Sequence, residues 1–214
     1  MSRDRVTFPA QSGGNAVIGT PLIVVISGPS GVGKDTLIER MAALGHGHHF
    51  TITATTRAPR PGEKDGVNHF FVSRDQFFNM VAKKELLEWA QVYGNYYGVP
   101  KRQVRDALAR GRHVIIRVDV QGARRIREIV PQALFVFVTP PSLETLRAHL
   151  LKRGVNAPAD IERRLAAAQV EIAEAAMFDY SIENHEDRLD ETVAEVARVI
   201  DKESNRVPPR KVSV

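Results

Sequence analysis

A glycine-rich stretch with one lysine, GPSGVGKD at residues 28 to 35, constrains the fold of this chain more than any other part of its sequence. An apolar, β-branched run, LIVVIS at residues 22 to 27, precedes it, and apolar residues at helical spacing follow from Thr36 to Leu44. A connecting turn is the simpler interpretation, but a buried strand, a GxxxxGK turn and a helix in register are typical of a phosphate-binding loop. The pattern therefore predicts a nucleoside triphosphate site.

This loop binds phosphate through its backbone, because glycines let successive amides point inward and the helix N-terminus adds positive charge. We expect Lys34 to reach the β and γ phosphates. Asp35 stands where the pattern has Ser or Thr, and since Mg²⁺ accepts carboxylate ligands, we expect Asp35 to bind the ion or its water shell. Thr36 would hydrogen-bond the α phosphate. The predicted ATP-binding residues are Gly28, Pro29, Ser30, Gly31, Val32, Gly33, Lys34, Asp35, Thr36 and the distant Asn184.

Alternation of strand-like and helical patterns predicts an α/β fold with a parallel sheet. HVIIRVDV at 113 to 120 and ALFVFVTP at 133 to 140 read as strands, followed by helices from Gly122 to Ile129 and from Ser142 to Leu151. Residues 51 to 99 break this rhythm with Thr, Pro, Gly and aromatic residues, which favours an inserted substrate-binding subdomain. Two further helices are predicted, one from about Ala159 or Asp160 and one from Glu191 to Asn205.

Composition limits the class of protein further. With 214 residues and 43% hydrophobic side chains, the chain can form one compact domain. It has no cysteine, which excludes disulfides, cysteine-bound metals and a thiol nucleophile. No apolar run approaches the ~20 residues of a membrane helix, and we expect a cytoplasmic protein. A net charge of +5 favours an anionic ligand, but without a zinc-finger or RNA-binding signature we do not expect nucleic acid to be that ligand.

Three more segments, together with the loop, resemble the guanylate kinase family: TTRAPRPGE at 55 to 63, ELLEWAQVYGNYYG at 85 to 98 and VDVQGA at 118 to 123. The resemblance spans roughly residues 21 to 205. It implies a P-loop nucleoside-monophosphate-kinase fold, with ATP and GMP as substrates and Mg²⁺ as cofactor. The implied divisions are a flexible segment 1–20, a core of 21–50 and 100–207, a GMP-binding insert 51–99, a lid at about 149–164 and a tail 208–214.

The resemblance also assigns the acceptor site. Arg57, Arg60 and Tyr97 correspond to the residues that hold the acceptor phosphate, and guanidinium forks suit phosphate oxygens. Glu88 corresponds to the residue that binds the N1 and 2-amino edge of guanine, with Asp119 in support. Adenine lacks these donors and would leave a buried carboxylate unpaired. A surface position is the alternative for Glu88.

Several positions depart from the family pattern. Thr53 replaces a guanine-contacting Ser, His69 replaces a tyrosine near the acceptor phosphate, and Val99 replaces a Ser or Thr that contacts guanine; we keep all three as substrate-binding positions. Arg117 occupies the first position of a segment usually read DxDxQG. It brings a positive charge where an acid is expected, and it could pair with a phosphate or with Asp35, or belong to a different network.

Catalysis of phosphoryl transfer needs positive groups around the moving phosphate. We assign this role to Lys34, Arg57, Arg153 and Arg164. The last two match lid arginines of the family, whereas a third lid arginine appears here as His149. A solvated helix face is the alternative for the lid arginines.

These observations predict phosphorylation of GMP by ATP. A kinase of the same architecture with another phosphorylated sugar or nucleotide as acceptor is the nearest alternative. A non-catalytic guanylate-kinase-like binding module is a third, which the presence of Lys34 disfavours. The sequence leaves the oligomeric state open.

Overall fold

The computed structural model describes residues 19–45, 47–92, 94–152 and 158–214. The predictions for residues 1 to 18 and for Arg153 lie outside these ranges. Within them, the helices are either too short or too polar to cross a membrane. The strands are β1 (Ile23–Ser27), β2 (His49–Phe50), β3 (Thr53–Thr55), β4 (His69–Phe71), β5 (Leu86–Val92), β6 (Asn95–Pro100), β7 (Val114–Arg117), β8 (Leu134–Thr139) and β9 (Tyr180–Glu183). The helices are α1 (Lys34–Ala43), α2 (Arg74–Ala82), α3 (Lys101–Ala109), α4 (Val120–Ile129), α5 (Leu143–Lys152), α6 (Pro158–Ala173) and α7 (Leu189–Ser204).

The core of the described chain is a five-stranded parallel sheet in the order β2-β7-β1-β8-β9. The predicted parallel α/β sheet is confirmed, with the LIVVIS run at its centre. Side chains alternate along β1: Val24 and Ile26 pack towards α1 and α7, whereas Ile23 and Val25 pack towards α3 and α4. Burial of each such side chain stabilises the fold by ~1.5–3 kcal/mol. This double burial fixes the end of β1, where the glycine loop begins.

A second, four-stranded sheet in the order β4-β3-β6-β5 forms within residues 53 to 100. It has its own core, in which Phe70 and Ala54 of the strands pack against Phe77 and Met80 of α2. The sequence analysis did not predict α2, although Ser73 and Gln76 form a reciprocal cap at its start. The segment that breaks the strand–helix rhythm is therefore a small packed unit of its own.

The predicted strand at 113 to 120 is too long. It ends at Arg117, because Asp119 adopts an extended backbone and caps α4, accepting a hydrogen bond from the Gly122 N–H at 2.6 Å. The apolar side chain of Val120 is buried, but Val120 is the first residue of α4 and does not belong to β7. The cap places the Asp119 carboxylate at the carboxyl edge of the sheet, the edge at which parallel α/β proteins bind ligands.

Helices α5 and α6 pack against each other beside the glycine loop. Leu146 and Leu150 of α5 meet Ile161 and Leu165 of α6 in a separate apolar cluster. An ion pair between Arg147 and Glu162, at 2.7 Å, joins the same two helices. The region predicted as a lid therefore has a small core of its own.

The C-terminal residues 208 to 214, predicted as a tail, are attached to the core. Arg210 is buried, donating from Nε to Glu203 Oε2 at 2.7 Å and from Nη1 to the Ala133 carbonyl at 2.9 Å. Val212 and Val214 pack against the apolar cluster beneath α3 and α4. Anchoring by a buried ion pair and two valines makes this segment part of the folded domain.

Candidate active site

The phosphate loop runs from the end of β1 to the start of α1. Gly28 and Gly33 have φ values of +146° and +95°, in the region that side chains disfavour. A Cβ at Gly28 would lie 2.1 Å from the Val138 carbonyl oxygen, and one at Gly33 would lie 2.6 Å from Asn184 Nδ2. Both positions therefore require glycine, and the loop curls around its own amides at the N-terminus of α1.

Lys34 lies over this loop. Its Nζ donates to the carbonyl oxygens of Gly28 at 2.6 Å and Pro29 at 2.9 Å. The ammonium group is therefore held at the mouth of the loop, as expected for a residue that meets the β and γ phosphates.

Glu171 of α6 reaches the same loop. The Ser30 N–H, Lys34 and Asp119 contribute to the electrostatic environment of its carboxylate. Burial raises the pKa of Glu171, while Lys34 and the Ser30 N–H act in the opposite direction. Glu171 therefore adds a negative charge to the surroundings of the phosphate loop.

Asn184 supports the loop from behind. It is 4% exposed, and its Nδ2 donates to the Val32 carbonyl at 2.8 Å. Its Oδ1 is buried without a hydrogen-bond partner among the described residues. A cavity of about 260 Å³ opens beside these groups, lined by Gly31, Gly33, Thr36, His149, Lys152, Asn184, Glu186 and Leu189. Four of the predicted ATP-binding residues thus meet at one cavity: Gly31, Gly33, Thr36 and the distant Asn184.

Glu186 connects helix α5, part of which lies in the predicted lid, with this cavity. His149 Nε2 lies 3.0 Å from Glu186 Oε2, and Lys152 Nζ donates to Glu186 Oε1 at 2.8 Å. The hydrogen bond from Lys152 holds the pKa of Glu186 below its usual range. His149 Nδ1 also lies 3.2 Å from the Gly31 carbonyl oxygen. The histidine in place of a family arginine is therefore part of a network that joins α5 to the phosphate loop.

The acceptor-side arginine, Arg57, is held in a dense network. It donates to Glu63 Oε1 at 2.8 Å and to the Ala58 carbonyl at 2.7 Å, and it interacts with the Tyr97 hydroxyl. The side chains of Arg57 and Glu63 are only 14% and 19% exposed. Hydrogen bonds from Arg57 and from the Arg60 N–H lower the pKa of Glu63 to about 2. The carboxylate remains charged and fixes the guanidinium in place.

His69 completes this cluster. Its ring lies 6.1 Å from that of Tyr97, and its Nδ1 is buried with no hydrogen-bond partner among the described residues. Burial lowers the pKa of His69, and the nearby Arg57 lowers it further. Burial and the nearby Arg57 therefore favour the neutral form of His69.

Glu88 and Asp119 come together at the other end of the acceptor region. Glu88 is 8% exposed and accepts hydrogen bonds from Arg125 at 3.1 and 3.3 Å. Burial raises the pKa of Glu88, Arg125 lowers it, and the proximity of Asp119 raises it. The alternative of a surface position for Glu88 is wrong, because the carboxylate is buried.

The remaining predicted residues differ in their surroundings. Thr53 pairs with His69 in the second sheet. Val99 is 1% exposed and packs in the main core. The side chain of Arg60 is exposed, although its backbone binds Glu63. Arg164 is partly buried, and its Nε has no hydrogen-bond partner within the described ranges.

Arg117 forms an ion pair with Asp35, one of the two partners expected from the sequence. The pair joins the carboxyl end of β7 to the first turn of α1. Both side chains retain solvent access, at 39% for Arg117 and 50% for Asp35.

Three site residues were missed in the sequence analysis. Glu63 lies in the quoted TTRAPRPGE segment, and its proximity to two arginines in a loop rich in proline was a usable signal. Arg125 lies on α4, six residues after Asp119, and nothing in the local sequence indicated that it would contact Glu88. Glu171 is one of three acids on α6, and only the tertiary structure brings it towards Ser30.

Comparisons with known proteins indicate the family of this chain. The guanylate kinase family model matches residues 20–203. A guanylate kinase of Carboxydothermus hydrogenoformans is 43% identical, covering 90% of this chain and 92% of the relative. Guanylate kinase 2, chloroplastic/mitochondrial, of Oryza sativa subsp. japonica is 44% identical over 91% of this chain and 68% of that protein. The crystal structure of guanylate kinase from Anaplasma phagocytophilum matches with a TM-score of 0.69 and 30% identity, covering 88% of this chain and 89% of that one. This chain belongs to the guanylate kinase family.

Proposed function

We propose that this chain transfers the γ-phosphoryl group of ATP to GMP, giving ADP and GDP. An oxygen of the GMP phosphate forms the new bond to the γ-phosphorus, while the bond to the β-phosphate oxygen breaks. The observation that carries the proposal is the place where the neighbouring strands β1 and β7 end: the phosphate loop with Lys34 follows β1, whereas Asp119 follows β7 and caps the helix whose Arg125 binds Glu88. A triphosphate on the loop and a guanine base at Glu88 would lie on opposite sides of this edge of the sheet.

The donor phosphates would bind the backbone amides of residues 28 to 33 and the Lys34 ammonium. Lys34 would exchange its bonds to the Gly28 and Pro29 carbonyls for phosphate oxygens, and Thr36 would donate to the α phosphate. Asn184 supports the loop through Val32. These contacts would place the γ phosphate at the end of β1.

The acceptor phosphate would bind the Arg57 guanidinium, the Tyr97 hydroxyl, a ring nitrogen of His69 and the exposed side chain of Arg60. Glu63 already fixes Arg57, so little side-chain freedom is lost when the phosphate arrives. Such preorganisation is the main contribution of a protein to phosphoryl transfer, which needs alignment and charge neutralisation more than a general base.

Guanine would be recognised by Glu88, with Asp119 beside it. The buried carboxylate accepts hydrogen bonds from Arg125 through Oε2, and the N1 and 2-amino groups of guanine would supply further donors. Thr53 would line the same region, whereas Val99 is buried in the main core and would only support it from behind. Adenine offers no donors at these positions and would leave the carboxylate under-satisfied.

Mg²⁺ fits this donor site as an ion that arrives with the nucleotide. Proteins usually bind it through one or two carboxylates together with substrate phosphates, and Asp35 in the first turn of α1 is the carboxylate next to Lys34. Within the described ranges there is no group of three or more acidic, histidine or cysteine side chains able to hold a metal without a ligand. The ion would neutralise charge on the β and γ phosphates.

The lid would supply Arg153 and Arg164 to the transferred phosphoryl group. The Nε of Arg164 is buried and unpaired among the described residues, which supports a polar ligand on that side. Closure of the lid over the core and the insert would exclude water, and so prevent hydrolysis of ATP. We expect both substrates together to contract the protein in small-angle scattering.

Because ATP and GMP are intracellular metabolites, we place the reaction in the cytoplasm, in the recycling of GMP within purine nucleotide metabolism. Partners other than the two nucleotides are not required for the proposed chemistry.

A coupled ADP-release assay tests the proposal directly. ATP and Mg²⁺ are held constant while GMP, dGMP, AMP, UMP, CMP and a ribose phosphate are compared, with Lys34→Met as the inactive control. We expect turnover with GMP to exceed that with AMP, UMP and CMP by at least ~100-fold, the discrimination typical of lost polar contacts. Preference for another acceptor would identify a different kinase of this architecture, and absence of turnover with all of them would favour a binding module.

A further inference from the structure

The ion pair between Arg117 and Asp35 lies beside the phosphate loop, at the start of α1. In the core sheet Arg117 pairs with Ile26 of β1, one residue before the end of that strand. Asp35 directly follows Lys34 in the first turn of α1. The pair therefore joins β7, the neighbour of β1 in the sheet, to the first turn of α1, where the phosphate loop ends.

Stability alone is a weak reason for this pair. Its partners are 39% and 50% exposed, and ion pairs with such access to solvent contribute little to folding. The positions of the two charges beside the phosphate loop say more about the role of the pair. A guanidinium within reach of a triphosphate attracts it, whereas a carboxylate at the same place repels it until a cation intervenes.

We propose that Arg117 is a donor-site residue: its guanidinium binds the triphosphate together with Lys34, and Asp35 is its alternative partner. The chain then carries part of the positive charge that a divalent cation otherwise supplies. When ATP binds without Mg²⁺, Arg117 leaves Asp35 for a phosphate oxygen. When Mg²⁺ accompanies ATP, Asp35 is drawn to the ion or its water shell. This inference rests on the proposed binding of ATP to the phosphate loop.

The two halves of the pair should therefore affect ATP binding in opposite directions. Loss of Arg117 removes an attraction that matters most without the ion, so the ratio of the dissociation constant without Mg²⁺ to that with Mg²⁺ should increase. Loss of the Asp35 charge removes a repulsion and frees the guanidinium, so the same ratio should decrease. A pair that only stabilises the fold would leave this ratio unchanged in both variants.

Isothermal titration calorimetry of ATP, without an acceptor, tests this with excess Mg²⁺ and with EDTA. For Arg117→Gln we expect the dissociation constant in EDTA to increase ~10-fold and that with Mg²⁺ by less than ~3-fold, because one lost charge contact of this kind corresponds to about a factor of ten. For Asp35→Asn we expect the constant in EDTA to fall several-fold. Arg117→Lys keeps the charge without the fork and should lie between Arg117→Gln and the wild type.

Arg40→Gln is the matched control. Arg40 is in the last turn of the same helix α1, has a similar exposure of 41% and pairs with Asp190 away from the loop. It should leave both dissociation constants unchanged. Thermal unfolding of each variant confirms that it is folded.

The inference is overturned if Arg117→Gln leaves the ratio of the two dissociation constants for ATP unchanged, as it would if binding were weakened equally with and without Mg²⁺. Failure of the wild-type protein to bind ATP under both conditions would instead refute the proposed function.

Discussion

The two halves of the site each hold an arginine on a carboxylate, but with different freedom. On the acceptor side, Arg57 and Glu63 are largely buried, and both make further hydrogen bonds to their own loop. On the donor side, Arg117 and Asp35 are two to three times more exposed. Fixed positive charge suits a monophosphate that always binds in one way. A less constrained pair suits a triphosphate that arrives with a metal ion.

Lys34→Met should give the largest effect, because it removes the ammonium group that would stabilise the phosphoryl group during its transfer from the donor half to the acceptor half. We expect kcat to fall ~100-fold to ~1000-fold, the usual cost of one electrostatic donor in a preorganised site. Steady-state kinetics with GMP measures it, with Lys202→Met on the exposed face of α7 as the control. A decrease below ~10-fold would contradict the assigned role.

Glu88→Gln should weaken the acceptor half alone. It removes the carboxylate that would bind guanine and leaves Arg125 without its partner, so kcat/KM for GMP should fall ~10-fold to ~100-fold, since charged hydrogen bonds contribute ~1.5–3 kcal/mol. KM for ATP should change little.

The exposed Glu85→Gln is the matched control for this variant, three residues earlier in the chain. The ratio of kcat/KM for GMP to that for AMP is the decisive quantity. If the ratio is the same in Glu88→Gln and in the wild type, Glu88 does not select guanine.

Tyr97→Phe should have a smaller effect, because it removes one hydroxyl from the acceptor phosphate site. We expect KM for GMP to increase ~10-fold with little change in kcat. Tyr96→Phe is a close control: the hydroxyl of Tyr96 accepts a hydrogen bond from Arg74, outside the Arg57 cluster. Equal effects of the two substitutions would show that Tyr97 has no particular role.

The pH dependence of stability should show the smallest effect. The folded-state pKa of Glu63 is about 2, below its ordinary value of 4.5, mainly because of the hydrogen bond from Arg57. Its stabilising contribution is therefore complete above pH ~4.5 and is lost as the pH falls towards 2. Chemical unfolding of the wild type and Glu63→Gln at several pH values should give a difference that decreases over this interval. A constant difference would mean that the pair with Arg57 does not stabilise the fold.

Much of the core was predictable because its signals are local. The run at residues 22 to 27 is uniformly apolar and becomes the central strand, and the glycine loop requires the strand and the helix on either side of it. The end of β7 was predicted wrongly, because Val118 and Val120 continue an apolar pattern that the Asp119 cap interrupts. Side-chain capping of a helix overrides β propensity at that point.

The site was predictable where a motif carried it and unpredictable where tertiary contacts did. Lys34 and Arg57 stand in short segments with a recognisable pattern. Arg125 contacts Glu88, which lies 37 residues earlier in the sequence. Glu171 is separated from the phosphate loop by more than a hundred residues. Arg117 is intermediate: its sequence position marks it as unusual, and the fold identifies Asp35 as its partner.

Direct phosphoryl transfer between the two halves is the central claim, and ATP labelled in the γ phosphate tests it most directly. The protein is incubated with labelled ATP, Mg²⁺ and GMP, and the products are separated by chromatography. The account predicts that the label appears in GDP, with little in inorganic phosphate. Label that accumulates in inorganic phosphate while GMP remains unchanged would contradict it.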